Sequence, residues 1–347
     1  MSEPLNQVAA ALGGDISARF VLSRSGHPLL ALPYSGPAAL RALNLYQPQR
    51  GLAKGVAGLL RAGARFGLHR LLPKKNANVV NAGGSTGLLP TGVHTESVGI
   101  LFGSADHKVF RSVLSYQNEV NWEVAKLAAG SKGAAMLERE AAVMREIGPV
   151  VPEAPELLGL ESSGSSRLLR MPYLCGHSLK HGDVEPVLTL LQSWISDSPP
   201  EPLRSFSEWT VILKGLKNFP AGGRYLEKVA DLPIKRSIRH GDLARWNLLR
   251  TNDGSLKVLD WEWGEQHGLP GIDLVHYLAQ DFRLVQRLPA EQVIEKTVKG
   301  LEAEFWKPYL DQTGWAGHAT ELAIACFAFK QGASHQDNTE ILRVARF

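Results

Sequence analysis

Three residues stand out as able to do chemistry. Asp242 and Asn247 share the run Arg239-His240-Gly241-Asp242-Leu243-Ala244-Arg245-Trp246-Asn247, and Asp260 follows in Asp260-Trp261-Glu262. Moving a γ-phosphoryl group asks little covalent work of a protein. It needs a carboxylate beside the attacking hydroxyl, oxygen ligands for Mg2+ and cations to neutralise phosphate. Asp242 suits the first task. Asn247 and Asp260 suit the second, because Mg2+ prefers oxygen donors, keeps several waters and often takes only one or two protein ligands besides phosphates.

The elements between them must bring these side chains together. Leu248-Leu249-Arg250 and Leu256-Lys257-Val258-Leu259 read as two short strands around Thr251-Asn252-Asp253-Gly254-Ser255, and Asp-Gly is a strong hairpin signal. With Asp253 and Gly254 as a two-residue turn, pairing runs outward from 252 with 255 to 247 with 260. Asn247 and Asp260 would then face one another, with Cβ atoms roughly 4.5 to 5.5 Å apart.

His240-Gly241-Asp242 with Asn247, Asp260-Trp261-Glu262, and Pro270-Gly271-Ile272-Asp273-Leu274 together resemble the aminoglycoside phosphotransferase and choline kinase-like family, relatives of the protein kinases. The resemblance covers residues 96 to 335. It implies a bilobal α+β kinase-like fold with a small antiparallel-sheet N-lobe and a mainly helical C-lobe, ATP as donor, Mg2+ as cofactor, and a small-molecule hydroxyl as acceptor. In that pattern Asp242 is the base, His240 anchors the catalytic loop, and Asp273 steadies the loop from a helix start. A protein kinase usually carries Arg where this chain has Gly241, which favours a small acceptor over a protein kinase. The family's usual Pro two residues before the Asn is Arg245 here. A catalytically inactive nucleotide-binding scaffold is the alternative from another class, and the intact Asp242, Asn247, Asp260 and Lys126 argue against it.

The same resemblance assigns residues upstream. Val98 to Phe102, Val109 to Leu114 and Val120 to Leu127 read as three successive strands. Gly103 and Ser104, in the first turn, have small side chains that would let backbone amides approach phosphate. Val124-Ala125-Lys126 resembles the kinase strand lysine that contacts the α and β phosphates. The helix expected over Ala134 to Ile147 offers Glu138 and Glu140 as partners for Lys126, and the family's helix pattern favours Glu140. Leu168 to Gly176 resembles the strand and hinge between lobes, where Met171 and Leu174 mark the adenine position. The domains expected are a basic N-terminal extension and linker over 1–95, an N-lobe over 96–173 and a C-lobe over 174–347.

Composition frames these readings. With 347 residues, 44% of them hydrophobic and 21% charged, the chain can bury two cores. Cys175 and Cys326 are too few for a disulfide framework and are expected to pack. No apolar run approaches the roughly eighteen residues of a membrane span, and Met1-Ser2-Glu3-Pro4 lacks a cationic signal region, so a cytoplasmic location is expected.

The net charge of +4 hides an asymmetry. Between Asp15 and Glu96 there is no acidic residue but there are ten Lys or Arg. On a helix, Arg50, Lys54, Arg61 and Arg65 would share one side and Leu52, Val56, Leu59, Leu60 and Phe66 the other, a basic amphipathic pattern. Contact with an anionic membrane or polymer through residues 41–75 is one reading. The expectation preferred here is that the apolar side packs on the body. Recognition of nucleic acid is not expected, since no aromatic-basic module accompanies the charge. Gly83-Gly84-Ser85-Thr86-Gly87 is expected to be linker.

Overall fold

The computed structural model describes residues 3–23, 26–48, 51–77, 87–103, 110–118, 120–180, 182–333 and 336–345. The chain divides into two compact units, Met1–Gly176 and His177–Phe347. Among the described residues no helix is long and apolar enough to cross a membrane. Ser104 and Gly83 to Thr86 lie outside the described residues.

The first unit is built on one antiparallel sheet. Its strands are β1 (Ile16–Leu22), β2 (Pro28–Leu32), β3 (Lys74–Ala77), β4 (Gly99–Phe102), β5 (Phe110–Gln117), β6 (Trp122–Ala129), β7 (Gly159–Ser163) and β8 (Ser166–Pro172), in the order β3-β1-β2-β4-β5-β6-β8-β7. The three strands expected between 98 and 127 are β4, β5 and β6. The boundary expected at 95/96 falls inside this sheet, because β2 hydrogen-bonds to β4 through Leu30 with Leu101 and Ala31 with Ile100. The front of the chain thus supplies sheet strands, a pairing that follows from long-range register and leaves no local mark in the sequence.

Helix α1 (Glu3–Leu12) also joins the core, with Leu5, Val8, Ala9 and Leu12 packed with Phe20, Ile100, Leu114 and Leu127. A second apolar cluster joins Leu30 and Leu32 to Ala39, Ala42 and Leu43 of α2 (Gly36–Leu45) and to Ala64 of α3 (Gly51–Arg65). Helix α3 forms despite its glycines, but its orientation is the reverse of the expected one. Ala57, Ala64 and part of Leu60 face inward, while Leu52 is 86% exposed, Leu59 76% and Phe66, just past the helix, 83%. Arg61 also turns inward and donates to the backbone oxygens of Leu43 at 3.2 Å and Tyr46 at 2.8 Å, which adds a polar anchor beside the buried alanines.

Helix α4 (Ser131–Ile147) packs on β6 and β8 through Ala134, Leu137, Ala141, Met144 and Ile147, the three-and-four spacing of one helix face. Glu140 falls on that buried stripe and Glu138 off it.

The second unit is mainly helical. Its helices are α5 (Glu185–Ser193), α6 (Ser207–Gly215), α7 (Pro220–Glu227), α8 (Ile272–Gln280), α9 (Ala290–Leu301), α10 (Lys307–Thr313), α11 (Ala319–Gly332) and α12 (Thr339–Val344). Asp183, just before α5, accepts the Lys180 amide at 3.0 Å and does not cap the helix, which begins at Glu185. Helices α6 and α8 both pack on α11. Two short antiparallel ladders carry the motif residues: β9 (Ser237–Arg239) with β12 (Glu265–Gly268), and β10 (Leu248–Thr251) with β11 (Leu256–Val258). Cys326 is buried in α11, where burial pushes its thiol up to about 12, whereas Cys175 is exposed and does not pack as expected.

Candidate active site

The hairpin β10–β11 has a different register from the one its Asp-Gly signal suggests. Leu248 pairs with Val258 and Arg250 with Leu256, so the loop has three residues, Asn252 to Gly254, rather than two. The Asp253 side chain decides this by accepting from the Ser255 amide at 3.1 Å and from the Thr251 hydroxyl at 2.5 Å. Gly254, at φ +87, supplies the left-handed residue that a three-residue hairpin loop requires. Asn247 therefore lies opposite Leu259, whose amide donates to the Asn247 carbonyl at 2.8 Å, and not opposite Asp260.

A one-residue slip sends a strand's side chains to opposite faces. Here the chain leaves the ladder instead. Asp260 adopts φ +74, a left-handed conformation that costs a residue with a side chain about 1 to 3 kcal/mol. The residue is half-buried.

The loop from His240 to Asn247 is held from both ends. Asp273, buried in the first turn of α8, accepts the His240 amide at 2.6 Å and the Gly241 amide at 2.8 Å, one on each oxygen. Asn247 donates its side-chain NH2 to the Asp242 carbonyl at 2.9 Å, which leaves its side-chain oxygen as the atom able to ligate a metal. His240 is fully buried, and desolvation lowers its pKa, so the ring is neutral. It bridges Leu259 O (2.9 Å, Nε2) and the Asp242 amide (3.2 Å, Nδ1), and packs edge-on against Trp261 at 4.7 Å. Gly241 has φ +83, and a Cβ there would meet the Trp263 carbonyl at 2.6 Å. The loop has no room for a side chain at this position.

Two residues that sequence reasoning missed complete the surroundings of Asp242. His276, one turn after Asp273 on α8, places Nε2 at 2.8 Å from Asp242 Oδ1. Lys330 of α11 donates to the Gly241 carbonyl and stands 3.9 Å from the same Oδ1. Both are buried. Burial alone would raise the Asp242 carboxyl, but the hydrogen bond from His276 and the nearby Lys330 outweigh it and hold the pKa at about 2. His276 itself is pushed down to about 4, by burial first and Lys330 second, so near neutrality it is an uncharged donor to an ionised Asp242. A lysine in the apolar run Leu322 to Phe329-Lys330, and a histidine three residues after Asp273, were the signals available in the sequence.

Other acids of the second unit have structural partners. Glu265 pairs with Arg239, and Asp281 accepts from Arg245 at 3.0 Å. Asp337 accepts the Thr339 amide at 3.0 Å at the start of α12.

The first unit holds the other candidate residues. Lys126 alternates with Ala125 and Leu127 on β6, so those two enter the core and the lysine projects from the opposite face. Its ammonium donates to Glu140 Oε1 at 2.5 Å, and Glu140 is only 1% exposed. Glu138 instead pairs with Arg167 at 2.7 Å at the surface. Met171 is buried on β8 opposite Val124, and Leu174 is half-buried just beyond that strand. Gly103 does not offer the free amide expected of it, because its N–H donates to the Arg111 carbonyl at 2.9 Å, which extends the β4–β5 ladder.

No protein-family model matches this chain, and no curated protein matches it. Similar solved structures include choline kinase LicA from Streptococcus pneumoniae, at 15% identity over 67% of this chain and 81% of that one, with a TM-score of 0.42. A thermostable mutant of aminoglycoside phosphotransferase APH(4)-Ia, solved with ADP and hygromycin B, is 13% identical over 72% of this chain and 94% of that one, with a TM-score of 0.44. An ethanolamine kinase from Plasmodium vivax is 11% identical over 72% and 81%, with a TM-score of 0.43.

Proposed function

We propose that this chain is a phosphotransferase that moves the γ-phosphoryl group of ATP, with Mg2+, to a hydroxyl of a small molecule such as an amino alcohol, an aminoglycoside or a sugar. One observation carries the reading. Asp242 is held ionised, with Oδ1 engaged by His276 and Lys330 and its side chain still 36% exposed, in a loop whose backbone Asp273 clamps at two points.

In this reading Asp242 orients the acceptor hydroxyl and takes its proton as the hydroxyl oxygen bonds to the γ-phosphorus and the bond to ADP breaks. Asn247, whose side-chain oxygen is left open by its bond to the Asp242 carbonyl, and Asp260 would hold magnesium through an amide oxygen and a carboxylate, both hard oxygen ligands. When bound, the ion would neutralise charge on the β and γ phosphates. Lys126, kept extended by Glu140, would add a cation toward the nucleotide. Gly241 supports a small acceptor, because the arginine that reads activation-loop phosphorylation in protein kinases has no room there.

The test is ADP release by the purified full chain with ATP and Mg2+, against choline, ethanolamine, aminoglycosides and simple sugars. Release that rises with one hydroxyl class above the rate in water alone is expected. Release that stays at the water rate throughout, with no ATP–Mg2+ shift in melting temperature, would contradict the proposal.

A further inference from the structure

Helix α3 presents its large side chains to solvent and its small ones to the protein. Of the exposed large hydrophobic residues of the described chain, Leu52, Val56, Leu59, Phe66, Leu68 and Leu71 fall within a single short stretch. At about 100° per residue, Leu52, Val56, Leu59 and Phe66 lie within roughly 80° of arc. They form one continuous stripe. Alanines 57 and 64 form the inner face, which lets α3 sit close to α2 without burying any of that stripe. Beside the stripe, Gly51, Gly55 and Gly58 have no atom within 4 Å of where a Cβ would stand, so this flank too is open.

Charge identifies what covers it. Lys54 and Arg65 are exposed on the helix beyond the glycine flank, Arg70 and Lys74 are exposed just after it, and no acidic residue occurs between Asp15 and Glu96. A partner of mixed charge would leave these cations unmatched over much of the surface, whereas an anionic lipid headgroup layer matches them all and accepts the apolar stripe beneath. Contiguous apolar patches on a chain's surface mark interaction sites. A helix combining such a stripe with Lys and Arg suits the plane of an anionic interface.

We propose that the outer face of α3, with Phe66, Leu68 and Leu71, docks the protein on an anionic membrane surface. The docking is peripheral. It is independent of the phosphotransferase reading, since none of these residues belongs to the Asp242 loop or to the Lys126–Glu140 pair.

Flotation of the full chain with vesicles tests it. Vesicles of phosphatidylcholine alone are compared with equimolar phosphatidylcholine and phosphatidylglycerol, at low and high salt. Binding to the anionic vesicles only, weakened by salt, is expected. Lys54→Gln and Arg65→Gln should each weaken it roughly fivefold. Leu59→Asp with Phe66→Asp should abolish it with no fall in melting temperature, because neither side chain is buried. Equal flotation with neutral and anionic vesicles, or no flotation with either, overturns the proposal. So does a wild-type dimer in sedimentation that the Leu59→Asp, Phe66→Asp variant dissociates, which would assign the face to a second copy of the chain.

Discussion

Two ionic networks lie three residues apart and differ in what they leave open. Arg239 is 5% exposed, and every part of its guanidinium is engaged. Nε pairs with the buried Glu208 at 3.2 Å, Nη2 with Glu265, and Nη1 with the Trp263 carbonyl at 3.3 Å, while the group lies 4.9 Å over the Phe329 ring. Asp242 is built differently. Its Oδ1 takes both His276 and Lys330, and among the described residues Oδ2 has no hydrogen-bond partner. The first network spends its charges on holding β9, β12 and α6 together. The second uses two buried groups to keep one carboxylate ionised and leaves an oxygen available. A buried ion-pair network can be purely structural, and the unspent oxygen is what separates the two.

Breaking the closed network should have the largest effect on stability. Glu208→Ala removes the partner of Arg239 and the acceptor of the Leu269 amide, so the unit should lose about 3 to 5 kcal/mol, read from the denaturant midpoint. A loss below about 1 kcal/mol would mean that Arg239 does not need this partner.

Lys330→Met should act on rate rather than on folding. It removes the cation beside Asp242 and the donor to the Gly241 carbonyl, and we expect roughly a tenfold fall in kcat. Without that positive charge the Asp242 carboxyl protonates more readily, so the acid limb of kcat/KM should move to higher pH. An unchanged acid limb would place Lys330 outside the control of Asp242.

The pH dependence of stability sharpens the contrast further. His276 titrates at 6.5 when unfolded and at about 4 when folded, so the unfolded chain binds more protons between those values and stability falls as pH drops through that window. Asp242 has the depressed carboxylate pattern: its contribution is full above 3.8 and is lost as pH falls through about 2. His276→Gln should therefore flatten the melting-temperature profile between pH 6.5 and 4, leaving the slope that the buried His240 contributes. A profile identical to wild type would contradict the neutral, buried assignment of His276.

The smallest effect belongs to the pair of glutamates on α4. Glu138→Gln should change stability by less than about 0.5 kcal/mol and leave the ATP–Mg2+ thermal shift intact, since its bond to Arg167 is at the surface. Glu140→Gln should reduce that shift.

Much of this arrangement was legible in the residue spacing. The helical period places Glu140 and not Glu138 on the buried stripe of α4, and the alternation of β6 sends Lys126 away from Ala125 and Leu127. What failed was what depends on distant partners or on one side chain's choice. The hairpin register turned on whether Asp253 would fold back onto Ser255, and that single capping interaction moved Asn247 from opposite Asp260 to opposite Leu259. The membership of β1 and β2 in the sheet depends on pairing with β3 and β4, tens of residues away. Amphipathic periodicity located the two sides of α3, but the burial of the alanine face was decided by the close fit against α2. Lys330 and His276 are distant in sequence from Asp242 and meet it only because α8 and α11 pack together.

The most direct test of the account is Asp242→Asn, assayed for acceptor-dependent ADP release and for melting temperature with and without ATP–Mg2+. Turnover lower by about a thousandfold, with a nearly unchanged nucleotide-dependent thermal shift, is the expected result. Turnover close to wild type in a folded, nucleotide-responsive Asp242→Asn protein would contradict it.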